Sequence, residues 1–185
     1  MRLGLLAVSL ILAAAASARA EVRVVSTTGV LTADGRPLGP GDEVPASGVH
    51  LSNGTAILAE EGARFLLKGP AFLVPKHASF RLDFGGLLSV LKKGRKRFSV
   101  RTPTSVAAVR GTDFFVEARG KKETYICICS GKLEASAKGM GALAMSSKHH
   151  LARRFLKKGS GVKTVEGTLE GHTDAELDEL RAALK

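Results

Sequence analysis

Short stretches of alternating apolar and polar residues, separated by glycine, proline or Asn-Gly pairs, run through most of the chain up to residue 135. Alternation with a period of two is typical of strands that bury one face, and turn signals every 8–12 residues or so are typical of an all-β sandwich, barrel or stacked sheet. An Asp-Gly pair at 34–35 predicts a tight hairpin. The pattern predicts strands at 22–25, 55–59, 64–67, 79–84, 87–91, 98–101, 106–109, 114–117, 125–129 and 133–135.

The C-terminal end has a different pattern, because its apolar residues recur at helical spacing. Thr173-Asp174-Ala175-Glu176 is a capping box, in which the Thr and Glu side chains satisfy free N–H groups at a helix start. Gly159-Ser160-Gly161 favours a flexible joint before it. The prediction is therefore a β domain over 21–158, then a joint and one short C-terminal helix over 159–185, docked on the domain or on a partner. Its apolar stripe consists of Leu177, Leu180 and Leu184.

The first 20 residues have the three parts of a secretory signal peptide. Arg2 supplies the positive start, Leu3–Ala16 is apolar, and Ala18-Arg19-Ala20 is a small-x-small cleavage site. The apolar run is shorter than the roughly 20 residues that span a bilayer, and no later segment is long and apolar enough to do so. We therefore expect cleavage after Ala20 and a periplasmic or secreted location for the mature chain.

One stretch carries a family resemblance. Residues 100–116, with Val-Arg-Gly-Thr at 109–112 followed by Asp-Phe-Phe-Val, resemble the core signature of FecR-like domains. The next strand, Tyr125 to Glu134 with its Gly131, matches the continuation of that signature. The resemblance covers roughly residues 85–136 and is looser at Leu51–Ala56.

The resemblance implies a mainly β, FecR-like sandwich or stacked-sheet domain outside the cytoplasm, of the sort that senses a signal and passes it on through protein contacts. The best-known members are transmembrane regulators of a sigma factor. This chain has neither an anti-sigma segment nor an internal membrane span, so we expect a stand-alone, non-enzymatic sensor or protein-interaction module of the cell envelope.

Two cysteines, Cys127 and Cys129, occupy one predicted strand and are the only cysteines of the chain. At spacing two they project from the same face, with Cα atoms about 6.5–7 Å apart, at or beyond the usual limit for a disulfide. His149-His150 follows twenty residues later. Two thiolates with one or two imidazoles can fill a tetrahedral zinc site, and soft sulfur ligands also admit copper(I). Cys127, Cys129, His149 and His150 are therefore candidate ligands.

Other interpretations of these residues stay open. The cysteines also fit as small buried apolar side chains, with the His pair in a polar loop, and after that as a strained or redox-active disulfide. A thiol hydrolase would need an exposed cysteine of lowered pKa and a third orienting residue. Both cysteines lie in mid-strand and no such residue is evident, so no enzyme activity is expected.

Charge adds one more candidate. Without residues 1–20 the chain has 26 basic and 17 acidic residues, a net charge of +9, which favours an envelope protein or anionic envelope polymer as partner. Nucleic acid is not expected, because one Tyr and no Trp supply few stacking surfaces. A run of five basic residues in six positions is either a solvated hairpin tip or a polyanion contact. It consists of Lys92, Lys93, Arg95, Lys96 and Arg97.

Overall fold

The computed structural model describes residues 21–95 and 97–184. The predicted signal peptide, Lys96 of the basic run and Lys185 lie outside these residues. The described chain forms β1 Arg23–Thr27, β2 Leu31–Ala33, β3 Arg36–Pro37, β4 Val49–Leu51, β5 Thr55–Glu60, β6 Ala63–Lys76, β7 Ser79–Leu91, β8 Phe98–Arg101, β9 Ser105–Val109, β10 Asp113–Arg119, β11 Glu123–Ala137, β12 Met140–Ser147, β13 Leu151–Lys158, β14 Gly161–Gly167 and α1 Asp174–Ala182.

The predicted class, mainly β with one short C-terminal helix, is confirmed. Strand pairing runs from β7 through β8, β9 and β11 to β10 and back to β7, so five strands close into a small barrel. Only the β7–β8 pairing is parallel within this ring. The remaining strands extend the ring on both sides: β1 to β6 lie beyond β7, and β12 to β14 lie beyond β11.

Two strands are longer than the sequence pattern predicts, because glycines that resemble turns are bends inside them. Gly85, at φ +93°, joins the predicted strands 79–84 and 87–91 into β7. Gly131, at φ +108°, does the same in β11. Each bend lets one strand change partners along its length, since β11 pairs with β10 and β13 before Gly131 and with β9 and β12 after it.

The C-terminal region is more regular than predicted. The flexible joint expected at Gly159 is the tight turn of a β-hairpin, in which Lys158 pairs with Gly161 and β13 with β14. Neither strand has a clean alternation of buried and exposed residues, which is why the sequence pattern missed them. The helix prediction is confirmed, including both hydrogen bonds of the capping box between Thr173 and Glu176.

Two apolar cores lie on opposite faces of the strands. The larger fills the barrel, and β11 contributes Ile126 and Ile128 to it. The second lies outside the barrel wall and is covered by α1. Burying an apolar side chain such as Leu177 or Leu180 contributes about 1.5–3 kcal/mol, and both are at most 2% exposed. The second core consists of Leu66, Leu88, Val90, Phe115, Tyr125, Cys127, Cys129, Ala152, Leu177 and Leu180.

Among residues 21–95 and 97–184, no helix has the length and apolar character that crossing a membrane requires.

Candidate metal centre

Strand β11 directs both cysteines into the second core. Side chains alternate along a strand, so Cys127 and Cys129 share a face, while Ile126 and Ile128 point into the barrel. Both thiols are free and buried, with exposures of 0% and 2%. A fully apolar second core would make them simple packing residues, but two imidazoles also reach them.

His150 reaches Cys127 from the turn before β13. Its backbone N–H donates to the carbonyl oxygen of Cys129 at 3.2 Å, which anchors the turn on β11. Its φ of +45° lies in the left-handed region, which residues other than glycine seldom adopt and which often marks a functional position. With the backbone in this conformation, the Nδ1 atom of His150 lies 3.5 Å from the Sγ atom of Cys127.

His172 reaches Cys129 from the segment between β14 and α1. Its Nε2 lies 3.3 Å from the Sγ of Cys129, and the residue is 5% exposed. The ring stacks on Phe115, with centroids 4.7 Å apart and planes at 27°. Its Nδ1 lies 3.1 Å from the carbonyl oxygen of Glu170. A carbonyl only accepts, so Nδ1 donates to it, and Nε2 is the nitrogen that faces Cys129.

Together these residues form a buried Cys2His2 cluster that could hold a metal ion. The ligand atoms of Cys127, Cys129, His150 and His172 all lie within 4.8 Å of one another. In a tetrahedral site with Zn–S near 2.3 Å and Zn–N near 2.1 Å, a sulfur and a nitrogen are roughly 3.5 Å apart. The two S···N distances, 3.5 and 3.3 Å, already agree with that value.

The structure brings together three of the four predicted ligands and adds one that the sequence did not suggest. His149 is exposed and outside the cluster of four, although its ring centroid is 4.5 Å from that of His150. His149, His150 and Asp174 form a second, more exposed group of ligand atoms within 4.8 Å of one another. His172 carries no motif of its own, and the packing of the segment between β14 and α1 brings it to the cysteines.

The two thiols differ in acidity. A hydrogen bond from Cys129 lowers the pKa of Cys127 to about 4 against the opposing effect of burial, with help from His172 and His150. The same neighbouring thiolate, together with burial, raises the pKa of Cys129. The lowered pKa of Cys127 favours its thiolate, the form that binds metal ions.

A second partner orients each imidazole. Asp174, at the first turn of α1, lies 2.8 Å from the Nε2 of His150. Burial lowers the pKa of His150, but Asp174 and Cys127 outweigh burial and raise it. The second partner of His172 is the carbonyl oxygen of Glu170, which contacts its Nδ1 atom. Such carboxylate and carbonyl partners are what metal-binding histidines usually have on their other nitrogen.

A polar network holds the segment that carries His172. The Tyr125 hydroxyl donates to the carbonyl of Thr168 at 2.8 Å and accepts from the N–H of Glu170 at 3.3 Å. Arg119 lies over the Tyr125 ring and pairs with Glu170 at 2.9 Å. Arg154, on β13, pairs with the same carboxylate at 2.9 Å.

The predicted basic contact surface divides into structural and exposed members. Arg95 forms an ion pair with Glu60, and these side chains are 16% and 6% exposed. Arg97 is 69% exposed and pairs with Glu134. Lys92 and Lys93 are exposed at the tip, and Lys96 lies outside the described residues. Arg95 thus serves the fold, whereas Lys92, Lys93 and Arg97 are exposed.

A known protein family matches the part of the chain that contains nearly all of the barrel strands and both cysteines. A family model described as "FecR protein" matches residues 46–134. The chain contains a FecR domain. FecR domains are typically non-catalytic and function in envelope signalling. The matched range of the FecR domain includes both cysteines, whereas His150 and His172 follow it. The cluster thus joins the FecR domain to the C-terminal segment.

Two solved structures are similar in fold. Both are crystal structures described as a "putative anti-sigma factor" from Parabacteroides distasonis ATCC 8503. One is 15% identical, covers 57% of this chain and has a TM-score of 0.47; the other is 16% identical, covers 64% and has a TM-score of 0.40. The chain spans about half of theirs, 52% and 54%. No curated protein matches the sequence.

Proposed function

We propose that this protein is a non-catalytic interaction module of the cell envelope, in which one zinc ion fastens the C-terminal segment to the FecR domain. The observation that carries the proposal is the convergence of Cys127, Cys129, His150 and His172 within 4.8 Å. These residues come from one strand, one turn and one linker. An ion bound by all four would connect the three segments.

The donor set favours zinc. Two thiolates balance the charge of a divalent ion, and two sulfurs with two imidazole nitrogens at tetrahedral spacing are a usual structural zinc set. Hard ions such as calcium and magnesium prefer oxygen ligands, which this set lacks. Copper(I) also accepts thiolates and imidazoles, so it is the second candidate.

Four protein ligands argue for a structural rather than a catalytic ion. Catalytic zinc sites keep one position for water or substrate, whereas structural sites are closed by four protein groups. Cys127, Cys129 and His172 are at most 5% exposed, which leaves a substrate little access. A closed site agrees with the non-catalytic character of FecR domains.

The signal-like residues 1–20 and the exposed basic residues support the envelope part of the proposal. An exported chain meets anionic envelope polymers and other envelope proteins, and Lys92, Lys93 and Arg97 offer positive charge to either. Binding of this kind weakens as salt rises, because exposed charges are screened.

Metal analysis of the full chain tests the proposal. The protein, purified without a histidine tag or chelator, is analysed by elemental mass spectrometry and by titration with Zn²⁺ or Cu⁺ after metal removal. The expected result is one zinc ion per chain, lost in the Cys127→Ser/Cys129→Ser and His172→Ala variants and kept in His77→Ala, which changes an exposed histidine elsewhere. Failure to retain zinc or copper even after titration would overturn the proposal. A preference for copper would mean that the ion is copper and not zinc.

A further inference from the structure

The buried cluster has one side that faces solvent, and His150 forms it. The other three ligands, Cys127, Cys129 and His172, are at most 5% exposed. The His150 side chain is 10% exposed, and its partner Asp174 is 56% exposed. An ion from solvent therefore meets the cluster first at His150.

The two nitrogens of His150 face different surroundings. Nδ1 lies 3.5 Å from the sulfur of Cys127, on the buried side. Nε2 lies 2.8 Å from the Oδ1 of Asp174, on the exposed side. Both nitrogens of an imidazole can bind metal, so one ring borders an inner and an outer set of ligand atoms.

His149 completes the outer set. It is exposed, its ring packs edge-on against His150 with centroids 4.5 Å apart, and its ligand nitrogen lies within 4.8 Å of those of His150 and Asp174. Two imidazoles and a carboxylate are ligands that zinc and cobalt(II) readily accept. Three protein ligands in the open hold an ion less firmly than four buried ones with two thiolates.

We propose that His149, His150 and Asp174 form an outer metal position, which captures a divalent ion from solvent and passes it to the buried Cys2His2 cluster. This rests on the proposed function, because an entry position needs an inner site to load. His149 acts during loading only and is absent from the final ligand set. The ion passes along the His150 ring, from its Nε2 side to its Nδ1 side.

Loading kinetics of the metal-free full chain test this proposal. Stopped-flow mixing with Co²⁺ follows the thiolate-to-cobalt absorption band, which appears only when the ion reaches the cysteines. His149→Ala should slow the band by about tenfold, a typical gain from local capture of a counter-ion, and leave its final amplitude unchanged. His149→Glu should restore most of the rate, because a carboxylate also captures the ion. His77→Ala, at an exposed histidine elsewhere, should load like the unchanged protein.

The outcomes separate this proposal from the one on which it rests. If His149→Ala loads as fast as the unchanged protein, or if His149→Glu stays as slow as His149→Ala, the outer position is overturned while the inner site stands. If Co²⁺ gives no thiolate band in the unchanged protein and no metal is retained, the inner site fails as well.

Discussion

The Nδ1 atom of His150 lies 3.5 Å from the Sγ atom of Cys127, although 23 sequence positions separate the two residues. The pairing of β11 with β13 produces this contact, because Ile128 lies opposite Leu151 and the preceding turn folds over the face that carries the cysteines. The same strand pairing thus shapes the sheet and assembles half of the proposed metal site.

The acidity of Cys127 predicts a pH dependence of stability in the metal-free protein. Its pKa is about 4 in the folded state and about 8.5 in an unfolded chain. The unfolded state therefore binds more protons between these values, so this stabilisation is complete above the unfolded pKa and is lost as the pH falls through about 4. The pKa of His150 is raised in the folded state, so well below its ordinary value of about 6.5 this imidazole keeps its proton in both states.

Urea unfolding of the chelator-treated protein between about pH 4.5 and 6 measures the contribution of Cys127 to the free energy of unfolding. The free energy of unfolding should rise with pH more steeply in the unchanged protein than in Cys127→Ser. The carboxylates of the two proteins are the same, so they contribute equally to both curves. Parallel curves for the two proteins would mean that Cys127 stays a thiol.

The burial of Leu180 allows a prediction of how much the docking of α1 contributes to the free energy of unfolding. It is 1% exposed in the second core, so Leu180→Ala should lower the free energy of unfolding by about 2–4 kcal/mol. Leu169→Ala is the matched control, because Leu169 is 49% exposed and should change stability by no more than about 0.5 kcal/mol. Thermal or urea unfolding of the metal-loaded proteins decides the point, and equal losses would contradict the docked position of α1.

Arg119 does not contact the proposed ion, but we expect its removal to lower the affinity for zinc. It pairs with Glu170, whose carbonyl oxygen orients His172. Arg119→Ala should weaken zinc binding by about tenfold, as loss of an outer partner commonly does. Arg153→Ala should leave affinity unchanged, because Arg153 pairs with the 86% exposed Glu166. Competition with a zinc-binding dye measures both, and equal affinities would contradict a positioning role for Arg119.

Two arginines of one loop predict opposite roles. Arg95→Ala removes the partner of the buried Glu60, and breaking such a pair costs about 3 kcal/mol. Arg97→Ala removes an exposed pair, which contributes at most about 1 kcal/mol. Retention on envelope polymers at low salt should instead depend on Arg97. Equal losses of stability in the two variants would contradict this division of the loop.

Much of the fold is predictable from local patterns. Alternating apolar positions identify most strands of the barrel, and the capping box at Thr173 places the helix start at the right residue. The long strands were predicted in pieces, because the bends at Gly85 and Gly131 have the same local signature as turns. Whether a glycine ends a strand or bends it depends on the partner strands on both sides, which local sequence does not specify.

The metal site is predictable only in part, for a similar reason. Cys127 and Cys129 share a face because of strand periodicity, which is a local property. The choice of His150 over His149 depends on a left-handed turn. His172 reaches the cysteines because the segment before α1 packs on Tyr125 and α1 packs on the second core. Both depend on contacts between segments that lie far apart in the sequence.

X-ray absorption of the zinc-loaded full chain measures the ligands of the ion itself, and so tests whether zinc is bound by both cysteines. We expect a first shell of two sulfurs at about 2.3 Å and two nitrogens at about 2.0 Å. This shell should be unchanged in His149→Ala, because His149 is absent from the final ligand set. A shell of oxygen and nitrogen without sulfur would contradict the claim that zinc joins the FecR domain to the C-terminal segment.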